Sequence, residues 1–368
     1  MQKNYPFFSI IIPVHNAAQF LPACLDSVFN QNETDFELIC IDDASSDHSL
    51  SILTHYQKLF SEMHLIPLQN NVGPGAARNI GMRHARGQWL YFLDADDVCD
   101  ISLLKCVHSK CVQNTLDVLT VAATILNEHG EQLTNNPFNP ASQKFLKHIY
   151  TIDSAPYDYF RMPPHPSLNF YRRDFIMPHH IRFPEGIFFE DPVFHFSALW
   201  HRARFGYLTD PLVFYRVHQQ STSFAGDKKF FDIIPSYQLR EKILRNTHQW
   251  EKLRQPFLNQ KYRVFYNFLR LIQPKERPHL LTLLIRECQR DHLTTKETAT
   301  LDDKAKHTLL YLKKAAHYSK IRRMYFIPSI TGGKNTLTFW QKCQKPFWFL
   351  LFLPIFIKEL HQLIQKRL

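Results

Sequence analysis

Several carboxylates and one arginine in this sequence stand where their types and spacing suit metal, phosphate or proton chemistry. In Asp94-Ala95-Asp96-Asp97, acids at i and i+2 on a turn can converge on one point. A hard cation such as Mg²⁺ or Mn²⁺ takes oxygen ligands of this kind, together with substrate phosphates. The same run also offers Asp97 or Asp100 as caps for a helix from Ile101, and for Asp100 capping is the reading adopted. Asp42-Asp43-Ala44-Ser45-Ser46-Asp47 holds an acid, Asp43, able to accept a hydrogen bond from a base N–H or a ribose hydroxyl, with Ser46 or Asp47 as an N-cap. In Asn71-Val72-Gly73-Pro74-Gly75-Ala76-Ala77-Arg78-Asn79, the glycines let the backbone approach a ligand. Arg78 can then reach a phosphate or sugar, or simply sit in solvent. No Gly-Lys-Ser/Thr follows, so this is not a P-loop.

Glu190-Asp191 lies within the apolar stretch Ile187–Phe196. Unpaired charge is costly to bury, and a carboxylate in an apolar cleft has a raised pKa and can act as a general base. Asp191-Pro192 reads equally as an N-cap followed by the first helical residue, and both readings can hold together. His218 follows Tyr215-Arg216-Val217, and a lone histidine by itself is as readily structural as functional.

These residues need a scaffold, and the pattern of apolar runs supplies one. Phe7–Val14, Phe36–Ile41, His64–Leu68 and Trp89–Leu93 are short apolar runs that read as buried strands, the first giving way to a loop at Pro13. Between them, Ala18–Asn30, Ser49–Phe60 and Gly75–Ala85 carry helical spacing. Alternating strand and helix predicts a mostly parallel sheet with helices on both faces. On such sheets ligands sit beyond the carboxyl ends of the strands, which is where Pro13–Asn16, Asp42–Asp43 and Asp94–Asp97 fall. Further on, a helix over 101–113, a strand over 118–126, a loop-like stretch over 135–166, a helix fed by 183–190 and a short strand over 212–217 are expected. Helical periodicity rich in Lys and Arg begins near Phe230.

Composition excludes other classes. With 45% hydrophobic residues and 31 Phe, general disorder is excluded. Seven Cys with no C-x-x-C disfavour a disulfide framework or structural zinc and fit a reducing cytosol. No secretory signal and no apolar run of about 18 residues is found. The net charge of +11 is uneven: residues 1–100 carry 5 Lys/Arg against 12 Asp/Glu, and residues 228–368 carry 28 against 10. The basic last third points to a polyanionic surface.

Taken together, FSIIIPVHNAAQFLPACLDSVFNQ, DFELICIDDASSDHS, NNVGPGAARNIGMRHARGQWLYFLDADD and SLNFYRRDFI…IRFPEGIFFEDPVF resemble the family 2 glycosyltransferases, inverting sugar transferases of the GT-A fold. The resemblance covers residues 7 to about 223 and leaves 230–368 uncovered. It implies that Pro13, His15, Asn16 and Asp43 bind the nucleotide, with Asp43 reading uracil. It implies that Arg78, Asp94 and Ala95 lie beside the diphosphate or donor sugar. Asp96, Asp94 and His218 would hold a divalent cation, Mn²⁺ or Mg²⁺, with Asp96 the more direct ligand. Asp191 would be the general base, supported by Glu190. His15 departs from the family, where Tyr or Phe is common, yet it can still stack on a base.

The expected organisation is therefore a nucleotide-sugar-binding half (1–115), an acceptor-binding half (116–228) and a basic helical region (229–368). The expected activity is metal-dependent transfer of a hexose from a nucleotide sugar, a UDP-sugar, to a hydroxyl of a glycan or lipid-linked glycan. Lipopolysaccharide, capsule or exopolysaccharide precursors are the expected setting. A nucleotidyltransferase is the first alternative, but it predicts a glycine-rich Lys/Arg loop where this chain has PVHNAAQF. A non-catalytic relative is the second. No nucleic-acid partner is expected, because the aromatics are not interleaved with the basic residues. The apolar run FWFLLFLPIFI and its flanking Lys342, Lys345, Lys358, Lys366 and Arg367 suggest that 343–368 anchors the chain to an anionic membrane surface on the cytoplasmic face, or else packs on the protein.

Overall fold

The computed structural model describes residues 5–133, 149–154, 160, 163–218 and 226–325, with side chains to 317. Most of the expected loop 135–166 and the whole of 343–368 lie outside the described residues. The chain divides into units 1–316 and 317–368, and the sheet with the helices packed on it lies in the first.

Strand β1 (Phe8–Val14) and helix α1 (Leu21–Phe29) open the fold. There follow β2 (Phe36–Asp42), α2 (Ser49–Leu59), β3 (Met63–Pro67), α3 (Pro74–His84) and β4 (Trp89–Phe92). Next come β5 (Val98–Cys99), α4 (Leu103–Gln113), β6 (Val118–Leu126), β7 (Asn169–Arg172), α5 (Arg173–Ile176), α6 (Asp191–Trp200) and β8 (Phe205–Arg216). The helices α7 (Ile233–Asn246), α8 (Trp250–Leu271), α9 (Arg277–Arg290), α10 (Thr295–Ala299) and α11 (Asp303–Tyr325) follow.

The eight strands form one sheet in the order β3-β2-β1-β4-β7-β6-β8-β5. Its β3-β2-β1-β4 half is parallel, as are β6 and β8, while β7 and β5 pair antiparallel with their neighbours. Unbroken apolar strands make sense here because both faces are covered. Ile11, Ile39 and Ile41 point into a core shared with α3, α6 and α7–α9. Ile10, Ile12, Leu38 and Cys40 alternate into a second core under α1 and α4. Each fully buried Ile or Leu contributes about 1.5–3 kcal/mol, and a slip of one residue would exchange the two faces.

Three details differ from expectation. Pro13 does not begin a loop but pairs with Ile41 inside β1. Strand β8 begins at Phe205, well before 212, and crosses Pro211 through an irregularity opposite Val121–Ala123. Helix α2 is capped neither by Ser46 nor at Asp47 itself: its N-cap is His48, and Asp47 helps from one residue back by accepting from Ser49 N at 2.9 Å. Ser46 instead donates to Asn16 Oδ1. Asp100 behaves in the same way as Asp47: the N-cap of α4 is Ser102, and Asp100 braces the start from two residues back by accepting from Ser102 N at 2.8 Å.

Candidate active site

The carboxyl ends of β1, β2 and β4 meet on one side of the sheet and carry the polar clusters. At the β1 and β2 ends, Asn16 Oδ1 accepts from the Ser46 and Asp47 amides, and His15 Nδ1 lies 2.8 Å from Asp43 O. His15 and Asn16 are exposed, as a ring that stacks on a ligand requires. The Asp43 carboxylate is buried and accepts from Val72 N (2.7 Å) and Gly73 N (2.9 Å). It thus ties the β2 end to the loop before α3. Gly73 holds φ of +84°, a region costly for residues with a Cβ.

Arg78 projects from the second turn of α3 and is only 4% exposed. Its Nη2 donates to Asp94 Oδ1 at 2.7 Å, while Nη1 donates to Glu190 Oε1 at 2.7 Å and Asp191 Oδ1 at 2.9 Å. One guanidinium therefore joins the β4 end to the start of α6. Burial opposes its charge, but Asp191, Asp94 and Glu190 more than compensate, so its pKa lies above the ordinary arginine value. The approach depends on Gly75: a Cβ there would stand 2.6 Å from Pro184 O and 3.1 Å from Glu190 Cγ. Asp191 is not the N-cap that its pairing with Pro192 predicts: α6 starts one residue earlier, with Glu190 at the N-cap and Asp191 as its first residue. Burial raises the Asp191 pKa well above the usual carboxylate range; Arg78 opposes this, and Glu190 and Asp94 add to it.

Beyond β4, one carboxylate oxygen from each of Asp94, Asp96 and Asp97 can lie within 4.8 Å of the others. His218 Nε2 is 2.8 Å from Asp96 Oδ2, and its ring packs on Phe20 with centroids 4.8 Å apart. Ala95 is buried between the acids and belongs to the core, so its contribution is through the backbone.

The sequence offers Asp97 only as a possible cap. It caps nothing: it is 1% exposed and accepts from Arg216 N at 3.0 Å. Its Oδ2 is buried with no hydrogen-bond partner among the described residues. Burial, then the charges of Asp96 and Asp94, push its pKa well up. An all-oxygen donor set of mutually repelling carboxylates, one with an orphaned oxygen, fits a hard divalent cation.

His165 and Tyr215 are two further residues at the site that no sequence motif marks as ligand contacts. Their rings pack with centroids 4.9 Å apart. Ser167, beside them, accepts from Asp94 N at 3.0 Å. Burial lowers the His165 pKa to about 4, with Asp94 acting against this and Arg78 with it. The third acid of the Asp94–Asp97 run is visible in the sequence; His165 and Tyr215 carry no local signal.

Comparison with known proteins bears on the fold and the family. Residues 9–177 match the domain family described as Glycosyl transferase family 2. Residues 9–177 are a family 2 glycosyltransferase domain. It is 26% identical over 257 residues to the putative glycosyltransferase EpsH of Bacillus subtilis, covering 68% of this chain and 72% of that one. It is 24% identical over 239 residues to the poly(ribitol-phosphate) β-N-acetylglucosaminyltransferase TarS of Staphylococcus aureus, over 62% of this chain and 39% of that protein. The crystal structure of TarS 1–349 in complex with UDP-GlcNAc superposes with a TM-score of 0.64 at 21% identity, covering 85% of this chain and 92% of that one. A mannosyltransferase of Pyrobaculum calidifontis, in complex with GDP-mannose and Mn²⁺, superposes at 0.50 and 14% identity over 86% of this chain and 89% of that one. The fold is GT-A, as expected, and the basic last third continues in helices through α11. No helix among the described residues is long and apolar enough to cross a membrane.

Proposed function

We propose that this glycosyltransferase moves a sugar, with inversion, from a UDP-sugar to a hydroxyl of a surface-glycan acceptor, and that a divalent cation assists. The observation that carries the reading is the Arg78 bracket, which ties an acid of the Asp94–Asp97 cluster to the Glu190-Asp191 pair. A displacement needs a leaving diphosphate on one side of the anomeric carbon and a proton acceptor on the other. These two groups of acids supply those two sides.

In this reading Asp43 and the exposed His15–Asn16 corner receive the uridine. Asp94, Asp96, Asp97 and His218 would hold Mn²⁺ or Mg²⁺, which supplies charge neutralisation for the leaving diphosphate. Arg78 orients Asp94 and Asp191 and adds positive charge at the same place. Asp191 takes the proton of the acceptor hydroxyl, its raised pKa making it a better base than a free carboxylate. Relatives named as poly(ribitol-phosphate) glycosyltransferases support a polymeric acceptor. Attachment of 343–368 to an anionic membrane would bring the enzyme to such an acceptor, and flotation with anionic vesicles with and without that segment tests it.

The test of the function is calorimetric titration with UDP, with and without Mn²⁺, on the wild type and Asp96→Asn. Metal-dependent binding that Asp96→Asn loses is the expected result. No UDP binding under either condition overturns the donor assignment.

A further inference from the structure

Helix α1 runs beside the acid run that follows β4, and one of its faces holds that run along its length. Cys24 Sγ donates to Asp94 O at 3.6 Å, and Ser27 Oγ accepts from Cys99 N at 3.1 Å. Just past the helix, Gln31 Nε2 donates to Asp100 O at 2.7 Å. Positions 24, 27 and 31 share one helical face, and Phe20, the N-cap residue of α1, opens the same row. The Phe20 side chain offers only a ring, and that ring meets the residues that reach the acids from the end of β8. Its centroid lies 4.8 Å from that of His218 with planes at 35°, and 5.3 Å from the Arg216 guanidinium carbon. His218 Nε2 is 2.8 Å from Asp96 Oδ2, and Arg216 Nε donates to Asp96 O at 3.1 Å.

We propose that Phe20 is a positioning residue for the cation site: its ring sets His218 beside Asp96 as a ligand and keeps the Arg216 charge off the carboxylates. The inference rests on the metal-assisted transferase reading above and deepens it. Three observations carry it. His218 lies two residues beyond the end of β8, where a side-chain surface can decide how its ring stands. Arg216 is close enough to the acids to pair with them, yet its Nε takes the Asp96 carbonyl and its guanidinium lies over the Phe20 face, which attracts a cation. An arginine paired with those carboxylates would neutralise the donor set that a hard divalent cation needs. Finally, one flat ring can pack on an imidazole and attract a guanidinium together, and an aliphatic side chain of similar bulk offers neither contact.

The variants are Phe20→Leu and the conservative Phe20→Tyr, each made in the wild type and in His218→Ala, with thermal unfolding as the check on folding. Phe20→Met, which also lacks a ring, replaces Phe20→Leu if that chain does not fold. The probe is Mn²⁺, titrated into the protein alone and then with UDP, and followed by the relaxation of water protons. Phe20→Leu should weaken Mn²⁺ binding about tenfold and Phe20→Tyr less than about twofold, with unfolding close to that of the wild type. His218→Ala should itself bind Mn²⁺ less tightly. In that background Phe20→Leu should weaken binding by less than about threefold, the part that acts through Arg216, because the residue it sets is gone. Wild-type Mn²⁺ binding by Phe20→Leu, or an equal loss in both backgrounds, overturns the positioning role and leaves the transferase reading standing. If the wild type binds UDP but takes up Mn²⁺ neither alone nor with UDP, the cation assignment falls and the proposal with it, while the donor assignment stands. If it binds neither, the transferase reading falls as well.

Discussion

Arg78 is the residue whose removal should be felt most, and the structure sets how much. Its guanidinium is buried with three carboxylates at 2.7, 2.7 and 2.9 Å. Glu190 is nearly as buried as the arginine, and Asp94 and Asp191 are about one-quarter exposed. Arg78→Met keeps the volume and removes the cation, leaving three acids facing one another in a half-dry site. Breaking a buried ion pair from one side costs about 3–5 kcal/mol, a large share of a typical total of about 5–15 kcal/mol. The charges also set the sign of the pH dependence. Without the cation, the folded-state pKa of Asp191, which burial already raises against Arg78, rises further above its unfolded value of about 4. The penalty is then full above the raised folded value and fades as the pH falls toward the unfolded one.

Urea unfolding at about pH 7.5 and about pH 5 should therefore show a deficit for Arg78→Met that shrinks at the lower pH. Arg78→Lys should fall between the two in stability. A single ammonium cannot reproduce a fork that holds Asp94 on one nitrogen and Glu190 with Asp191 on the other. Its transfer rate should still drop about 100-fold, since Asp191 loses its orientation. A deficit of less than about 1 kcal/mol for Arg78→Met near neutral pH, or one that does not change with pH, would refute the bracket as a structural and catalytic unit.

Three other perturbations test the same geometry. Asp191→Asn should lower transfer about 10²–10⁴-fold with UDP binding retained. In the wild type, the acid limb of kcat/KM should fall above the usual carboxylate range, because the base form is lost as pH drops through a raised pKa; a limb at ordinary aspartate values would contradict this. Gly75→Ala forces a methyl to within 2.6 Å of Pro184 O and should cost about 1–3 kcal/mol in thermal or urea unfolding; a neutral result would mean that α3 and the 183–190 segment can separate freely. Lys261, fully buried between Glu287 (2.8 Å) and Asp291 (2.7 Å) in the helical region, should lose about 3–5 kcal/mol on Lys261→Met. Adding Glu287→Gln and Asp291→Asn should restore much of it, because the stranded charges are then removed.

The β3-β2-β1-β4 half of the sheet was legible because its information is local. Runs such as Phe8–Val14 have one stable use, a strand covered on both faces, and the acids that end them fall at the sheet's ligand-binding side by construction. What escaped is long-range. Four-residue β7 and two-residue β5 are too short to show a period, and each exists only because a neighbouring strand offers an edge. Arg78 could be named as a ligand contact but not as a bracket, since its partners Glu190 and Asp191 stand 112 and 113 residues away. Asp97 looked like a cap because capping is what an acid before a helix usually does; the strand that claims it instead, β8, returns 119 residues later. The same holds for His165 and Tyr215, two unremarkable residues until the turn at Pro166–Leu168 and the end of β8 are both pinned to Asp94–Asp97. In this fold the arginine and the acids of the candidate site stand in contiguous motifs. Their assembly is not local: Arg78 reaches Glu190 and Asp191 across 112 and 113 residues, and Arg216 reaches Asp97 across 119.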